Sequence, residues 1–345
     1  MRKSVLAGAA VLMALTACAP SDSDTAAGSP TDKATNNACG SNAKIVSMPK
    51  AASFPYYDAA NVGAEKAAKE LGGSFSEVAP ATIDAAAQAA LIDTQARKPD
   101  VCALMISAND RDALNPAVKR ARAAGKTVIT WDSDISEGTQ LYISQASNEA
   151  IGTELVQSLA EQIGHKGKIA FLVGSPTQAN QNIWLDVMKK ELAKPENKDI
   201  TVVKTVYGEG QDQKATQEIQ SLLQQYPDIA GMIAPDAANM PVAARILKAK
   251  KLGGKVALTG LALPSQMKNY VKDGTLKSFA LWDVEKLGYL SYYAAHGLAT
   301  GKIKGEPGEK FTAGEAGEFT ITDDHQVELG PLLFFTKDNV DNYSY

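Results

Sequence analysis

The chain has 345 residues and a formal net charge of −4, from 35 Lys and Arg against 39 Asp and Glu. That length is enough for two domains of ordinary size, and the mild acidity, with no Lys/Arg-rich arm, excludes a nucleic-acid partner. Beyond the first twenty residues no apolar run approaches the roughly 20 residues that cross a bilayer, so the body of the chain reads as a water-soluble protein.

The N-terminus is read first. Arg2 and Lys3 precede an apolar stretch over 5–17. Its length of about 13 residues suits the hydrophobic part of a signal peptide and is too short for a stable span. Leu15-Thr16-Ala17-Cys18 follows and resembles a bacterial lipobox. This implies a signal peptide over 1–17, a lipid on Cys18, and a protein held at the outer face of the cell membrane by that lipid alone. Residues 18–43 are rich in Ser, Thr, Asp, Ala, Gly, Pro and Asn. Such a segment buries too little apolar surface to repay its ordering entropy, and it reads as a flexible tether.

From residue 44 short apolar runs alternate with longer segments of helical period. In chain order the sequence predicts a strand at 44–48, a helix at 61–71, a strand at 74–78, a helix at 84–97, a strand at 101–107, a helix at 115–124, and strands at 127–131 and 141–144. The series then begins again, with a helix at 148–163, a strand at 168–173, a helix at 181–192, a strand at 201–206, a helix at 213–226, a strand at 231–233, a helix at 241–249, a strand at 255–259, a helix at 264–273, a strand at 279–282 and a helix at 285–300. Gly and Pro mark several of the transitions. Repeated βα units predict an α/β fold with parallel sheets covered on both faces. The division near Ala146 predicts two doubly wound lobes, whose ligand sites lie beyond the carboxyl ends of the strands.

Five strand-end or loop motifs follow. They are Met48-Pro49-Lys50-Ala51-Ala52-Ser53-Phe54-Pro55-Tyr56-Tyr57-Asp58, Ile129-Thr130-Trp131-Asp132-Ser133-Asp134, Gly174-Ser175-Pro176-Thr177-Gln178-Ala179-Asn180-Gln181-Asn182, Ile233-Ala234-Pro235-Asp236-Ala237 and Ala280-Leu281-Trp282-Asp283-Val284. Together they resemble the type I periplasmic sugar-binding proteins of ABC importers, nearest the branch that binds autoinducer-2 and rhamnose. The resemblance covers about 44–345. It implies two lobes joined by a three-stranded hinge, a monomer, a small-molecule sugar or polyol as ligand, and a transporter permease as partner. By resemblance the ligand-holding positions are Lys50, Asp132, the pair Asn180-Gln181, and backbone groups of Pro235 and Ala237. Asn180 departs from the Asp of the autoinducer-2 branch, which favours a sugar or short sugar alcohol. Autoinducer-2 uptake, or presentation of a ligand to a sensor, is the alternative.

The residue types agree with this chemistry. Carboxylates, amides and Lys make charge-assisted and bidentate hydrogen bonds to vicinal hydroxyls. Aromatic faces such as Phe54, Tyr57 and Trp282 cover the C–H side of a sugar. Each also has a plainer reading. Asp132 and Asp134 suit turns, Asn180, Gln181 and Asp236 suit helix caps, Lys50 suits a solvated loop, and Phe54, Tyr57 and Trp282 suit the core.

The three histidines, His165, His296 and His325, lack a nucleophile or carboxylate partner at a strand end. There is no HExxH, P-loop or Gly-x-Ser-x-Gly motif, so no enzyme activity, cofactor or metal is expected. With Cys18 lipidated, Cys39 and Cys102 remain as an even pair in an oxidising compartment. In a doubly wound order the first and third strands are neighbours, so the two thiols share the non-ligand end of the first sheet. A disulfide is expected there, with two free thiols as the alternative. The lobes are expected to comprise 44–146 plus 284–309, and 147–283 plus 310–345.

Overall fold

The computed structural model describes residues 39–345; the expected signal peptide, Cys18 and most of the expected tether lie outside them. The first lobe starts with β1 (Lys44–Met48), α1 (Pro55–Leu71), β2 (Ser74–Glu77), α2 (Ala85–Ala96), β3 (Val101–Ile106), α3 (Asn115–Ala123), β4 (Thr127–Trp131) and β5 (Tyr142–Ser144). The chain then builds a second lobe from α4 (Asn148–Ile163), β6 (Lys166–Val173), α5 (Ala179–Leu192), β7 (Asp199–Tyr207), α6 (Asp212–Gln225), β8 (Ile229–Ala234), α7 (Asn239–Ala249), β9 (Ala257–Gly260), α8 (Pro264–Lys272) and β10 (Phe279–Leu281). It ends with α9 (Val284–Ala299), β11 (Lys310–Thr312), β12 (Glu318–Thr320), β13 (Gln326–Glu328) and β14 (Leu333–Phe335).

Both sheets have the same winding. The first is parallel throughout, in the order β13-β5-β4-β3-β1-β2. The second is β7-β6-β8-β9, extended by a parallel bridge from Leu261 to Ala280 of β10, on which β14 pairs antiparallel. Each therefore switches direction beside its first strand, the place where such sheets leave a crevice.

Side-chain alternation gives each strand two buried faces. In the first sheet Ile45, Met105, Ile129, Trp131 and Ile143 join the cluster that includes α1 and α9. Val46, Met48, Leu104, Ile106 and Val128 pack on the other side against α2 and α3. The α1–α9 pair is held at backbone contact by two glycines. A Cβ on Gly63 would lie 1.7 Å from the Glu285 carbonyl oxygen, and one on Gly288 would lie 1.8 Å from that of Ala60.

The chain crosses between lobes three times, at 145–147, at 282–283 and at 329–332, as the flanking strands and helices show. The third crossing corrects the expected boundary at 310. After α9 the β11–β12 hairpin folds back, and β13 then pairs with β5 at the edge of the first sheet. Residues 310–328 therefore stay with the first lobe, and only β14 and the tail join the second. Three-residue strands carry too little periodicity to be read from sequence.

Cys39 and Cys102 are joined by a disulfide, with Cα atoms 6.2 Å apart, at the end of the first sheet away from the strands' carboxyl termini. The Cys39 amide also donates to the Ala299 carbonyl at the end of α9.

Candidate functional site

All ten residues expected to face a ligand, namely Lys50, Phe54, Tyr57, Asp132, Asn180, Gln181, Pro235, Asp236, Ala237 and Trp282, line one cleft between the lobes. They converge because each sits at the carboxyl end of a strand or in the first turn of the helix that follows. Lys50 follows β1, Asp132 follows β4, Pro235 to Ala237 follow β8, and Trp282 follows β10. Phe54 and Tyr57 begin α1, and Asn180 and Gln181 begin α5. Pro55 stands in the first turn of α1, where its missing N–H costs nothing.

Asp132 is the electrostatic centre of the cleft, 4% exposed and in the left-handed region at φ 62°. Asp tolerates that conformation better than most residues. Its carboxylate faces five donors. Oδ1 accepts from Tyr56 Oη at 3.0 Å and from Gln145 Nε2 at 2.8 Å. Oδ2 accepts from Ser107 Oγ at 2.7 Å and from Tyr57 Oη at 3.4 Å, and lies 3.2 Å from Lys50 Nζ. Burial, and then the negative charge of Asp132, push the hydroxyls of Tyr56 and Tyr57 well above the ordinary tyrosine value, so both are donors at neutral pH.

Asn180 of the second lobe reaches across. Its Oδ1 accepts from Lys50 Nζ at 3.2 Å and its Nδ2 donates to the Asp132 carbonyl at 3.3 Å. Gln181 and Asp236 engage each other instead. Gln181 Nε2 donates to Asp236 Oδ2 at 2.8 Å, while its Oε1 accepts from the Gly174 amide at 2.7 Å. Asp236 Oδ1 also accepts from the Asn239 amide at the start of α7. Burial raises the Asp236 carboxyl above its ordinary value, opposed mainly by the Gln181 amide. Asp134 stands outside this cluster; its carboxylate accepts from Thr130 Oγ1, as a turn residue would.

The aromatic wall is larger than the sequence indicated. Trp282 meets Tyr56 edge-on at 6.1 Å and Trp184 at 6.2 Å, and Trp184 lines the same cleft. Tyr56, Ser107, Gln145, Gln178 and Trp184 were not singled out from sequence. Ser107 stands at the carboxyl end of β3 and was open to the same strand-end rule. Tyr56 was hidden because α1 was read as starting at 61. Gln145, in a polar link between lobes, carries no signal of its own.

A family model described as a periplasmic binding protein domain matches residues 45–303. The ribose import binding protein RbsB of Bacillus subtilis is 25% identical over 253 residues, covering 72% of this chain and 79% of that one. A sugar ABC transporter structure from Actinomyces odontolyticus is 39% identical with a TM-score of 0.71, covering 88% of this chain and 98% of that one. An ABC transporter solute-binding protein from Clostridium phytofermentas with bound L-rhamnose is 29% identical with a TM-score of 0.84, at the same coverages. LsrB from Clostridium saccharobutylicum in complex with AI-2 is 26% identical with a TM-score of 0.82, covering 88% of this chain and all of that one.

Proposed function

We propose that this chain, which belongs to the periplasmic binding protein family and within it to the sugar solute-binding proteins of ABC transporters, captures a neutral sugar or short sugar alcohol between its lobes and delivers it to a transporter permease. It is a binding protein and not an enzyme, as its family and relatives are. The observation that carries the ligand class is the pairing of Asp132 with Lys50 inside an aromatic-walled cleft. A buried carboxylate ringed by neutral and cationic donors suits hydroxyl groups, which both donate and accept. A ligand hydroxyl reaching Oδ2 replaces one of its two longest contacts, Tyr57 at 3.4 Å or Lys50 at 3.2 Å. Asn180 and the Pro235 to Ala237 backbone complete the shell from the second lobe, while Gln181 and Asp236 line the cavity and brace each other.

Ligand contact with both lobes favours the closed arrangement by differential affinity, and the permease reads that shape. On the lipobox reading the protein works outside the cell, anchored through Cys18, and the family resemblance supports a monomer. The amide at Asn180, where the autoinducer-2 branch has a carboxylate, weighs toward a sugar and against AI-2.

A thermal-shift screen of L-rhamnose, D-ribose, short polyols and AI-2 tests the reading. A true ligand at a hundredfold excess over its dissociation constant stabilises by about 2.7 kcal/mol. A shift with AI-2 alone would replace the sugar reading with AI-2 uptake, and no shift with any compound would refute both.

A further inference from the structure

Two hydrogen-bonded paths lead from the hinge to Oδ1 of Asp132. Gln145 lies on the first crossing, between β5 and α4, and its Nε2 donates both to Oδ1 at 2.8 Å and to the Asp132 carbonyl at 2.6 Å. Trp282 lies on the second crossing, between β10 and α9. Its Nε1 donates to Tyr56 Oη at 3.0 Å, and that hydroxyl donates to Oδ1 at 3.0 Å. The four side chains are buried, Gln145 to 1% exposure and Trp282 to 2%. Tyr142 tightens the arrangement by donating to the Asp132 carbonyl at 3.2 Å.

We infer that Gln145 and Tyr56 are positioning residues that couple the hinge setting to the orientation of Asp132. Hinge motion takes up backbone rotation at a few residues between elements, and here those residues carry the donors that fix one carboxylate oxygen. Rotation at 145–147 or at 282–283 therefore moves a donor relative to Oδ1. By reciprocity, whatever changes at the carboxylate changes the hinge equilibrium. Buried networks of this kind respond as units, so the coupling is carried jointly by the two paths. The inference rests on Asp132 being the ligand carboxylate, yet its test needs no ligand.

The test places nitroxides on genetically encoded ketone residues at positions 62 and 202 of the full chain. Val62 on α1 is 55% exposed and Val202 on β7 is 38% exposed, so the pair reports the distance between lobes. Pulsed electron resonance then compares wild type, Asp132→Asn, Gln145→Leu, Tyr56→Phe and the double variant Asp132→Asn/Gln145→Leu. The expected result is a displaced or broadened distance peak in each single variant, with the double variant changed no further than the larger single one. A purely local role for these side chains would leave the peak where it is in wild type. Tyr56→Phe removes one hydroxyl and keeps the ring, so it carries the test if Gln145→Leu fails to fold. Unchanged distances in folded Tyr56→Phe and Asp132→Asn would overturn the inference, as would additive effects in the double variant. Because no sugar is present, this outcome is independent of the ligand screen.

Discussion

Replacing Asp132 by Ala has two separable consequences. The carboxylate supplies one or two charge-assisted hydrogen bonds to a ligand, each contributing about 1.5–3 kcal/mol. Affinity is therefore expected to fall by roughly tenfold to ten-thousandfold, at about 1.4 kcal/mol per tenfold. The same change strips the ion-pair partner from Lys50, which is 4% exposed and keeps a hydrogen bond to Asn180 Oδ1 at 3.2 Å. Breaking a buried ion pair by removing one member costs about 3–5 kcal/mol. The unfolding midpoint of the ligand-free protein is then expected to drop by on the order of 10 °C. Asp132→Asn separates the two effects, since it keeps the side chain's volume and one acceptor while removing its charge. Titration calorimetry with the sugar selected by the screen measures the first effect, and thermal unfolding without sugar measures the second. An Asp132→Ala affinity within about threefold of wild type would refute the placement of the ligand at this carboxylate. An unchanged midpoint would refute the view that Lys50 depends on it.

Three further outcomes are expected. Gly63→Val forces α1 away from α9, where the Cβ position is 1.7 Å from the Glu285 carbonyl oxygen; a loss of about 3 kcal/mol or more in urea unfolding is expected, and a loss under about 1 kcal/mol would refute the close-contact argument. Removing the disulfide with Cys39→Ser/Cys102→Ser, a sequence separation of 63, is expected to cost about 4 kcal/mol in the chain-entropy model, checked by unfolding wild type with and without reductant. Asp236 has a raised folded-state value, so the folded state holds its proton more tightly than the unfolded chain does. Its contribution to stability accordingly falls as pH rises from the ordinary carboxylate value through the raised one. As pH rises above the ordinary carboxylate value, wild type is expected to lose more stability than Asp236→Asn, and parallel unfolding curves would count against this.

The sequence yielded most of this site because the strongest signals lay at strand ends. β1 and β4 are short, largely apolar runs followed by Lys50 and Asp132, and β8 and β10 are followed by Pro235 and Trp282. What escaped notice was the set of partners that orient Asp132. Gln145 acts because β5 brings it beside β4, a sheet-register fact with no local trace. Tyr56 stands in the first turn of a helix that has no side-chain cap, so its true start at Pro55 lacked the usual Ser, Thr, Asp or Asn marker. The tail misled for a related reason. β11 to β14 are three residues each, and their place is decided by tertiary pairing: β11 and β12 pair with each other, while β13 and β14 add beside β5 and β10. Gln181 and Asp236 were expected to reach a ligand, and their mutual bond is likewise a product of tertiary proximity.

The tail also governs when the molecule can be finished. The last strand of the first sheet to be made, β13, arrives more than 180 residues after β5, and α9, which covers the face carrying Ile45, Met105 and Ile129, arrives about 140 residues after it. At roughly 5–20 residues per second, synthesis leaves that face with α1 but without α9 for about 7–28 s. The first lobe therefore cannot close while the second is still being made, although every one of its central strands already exists. Such long-range completion slows folding and keeps the first lobe loose until β13 has emerged.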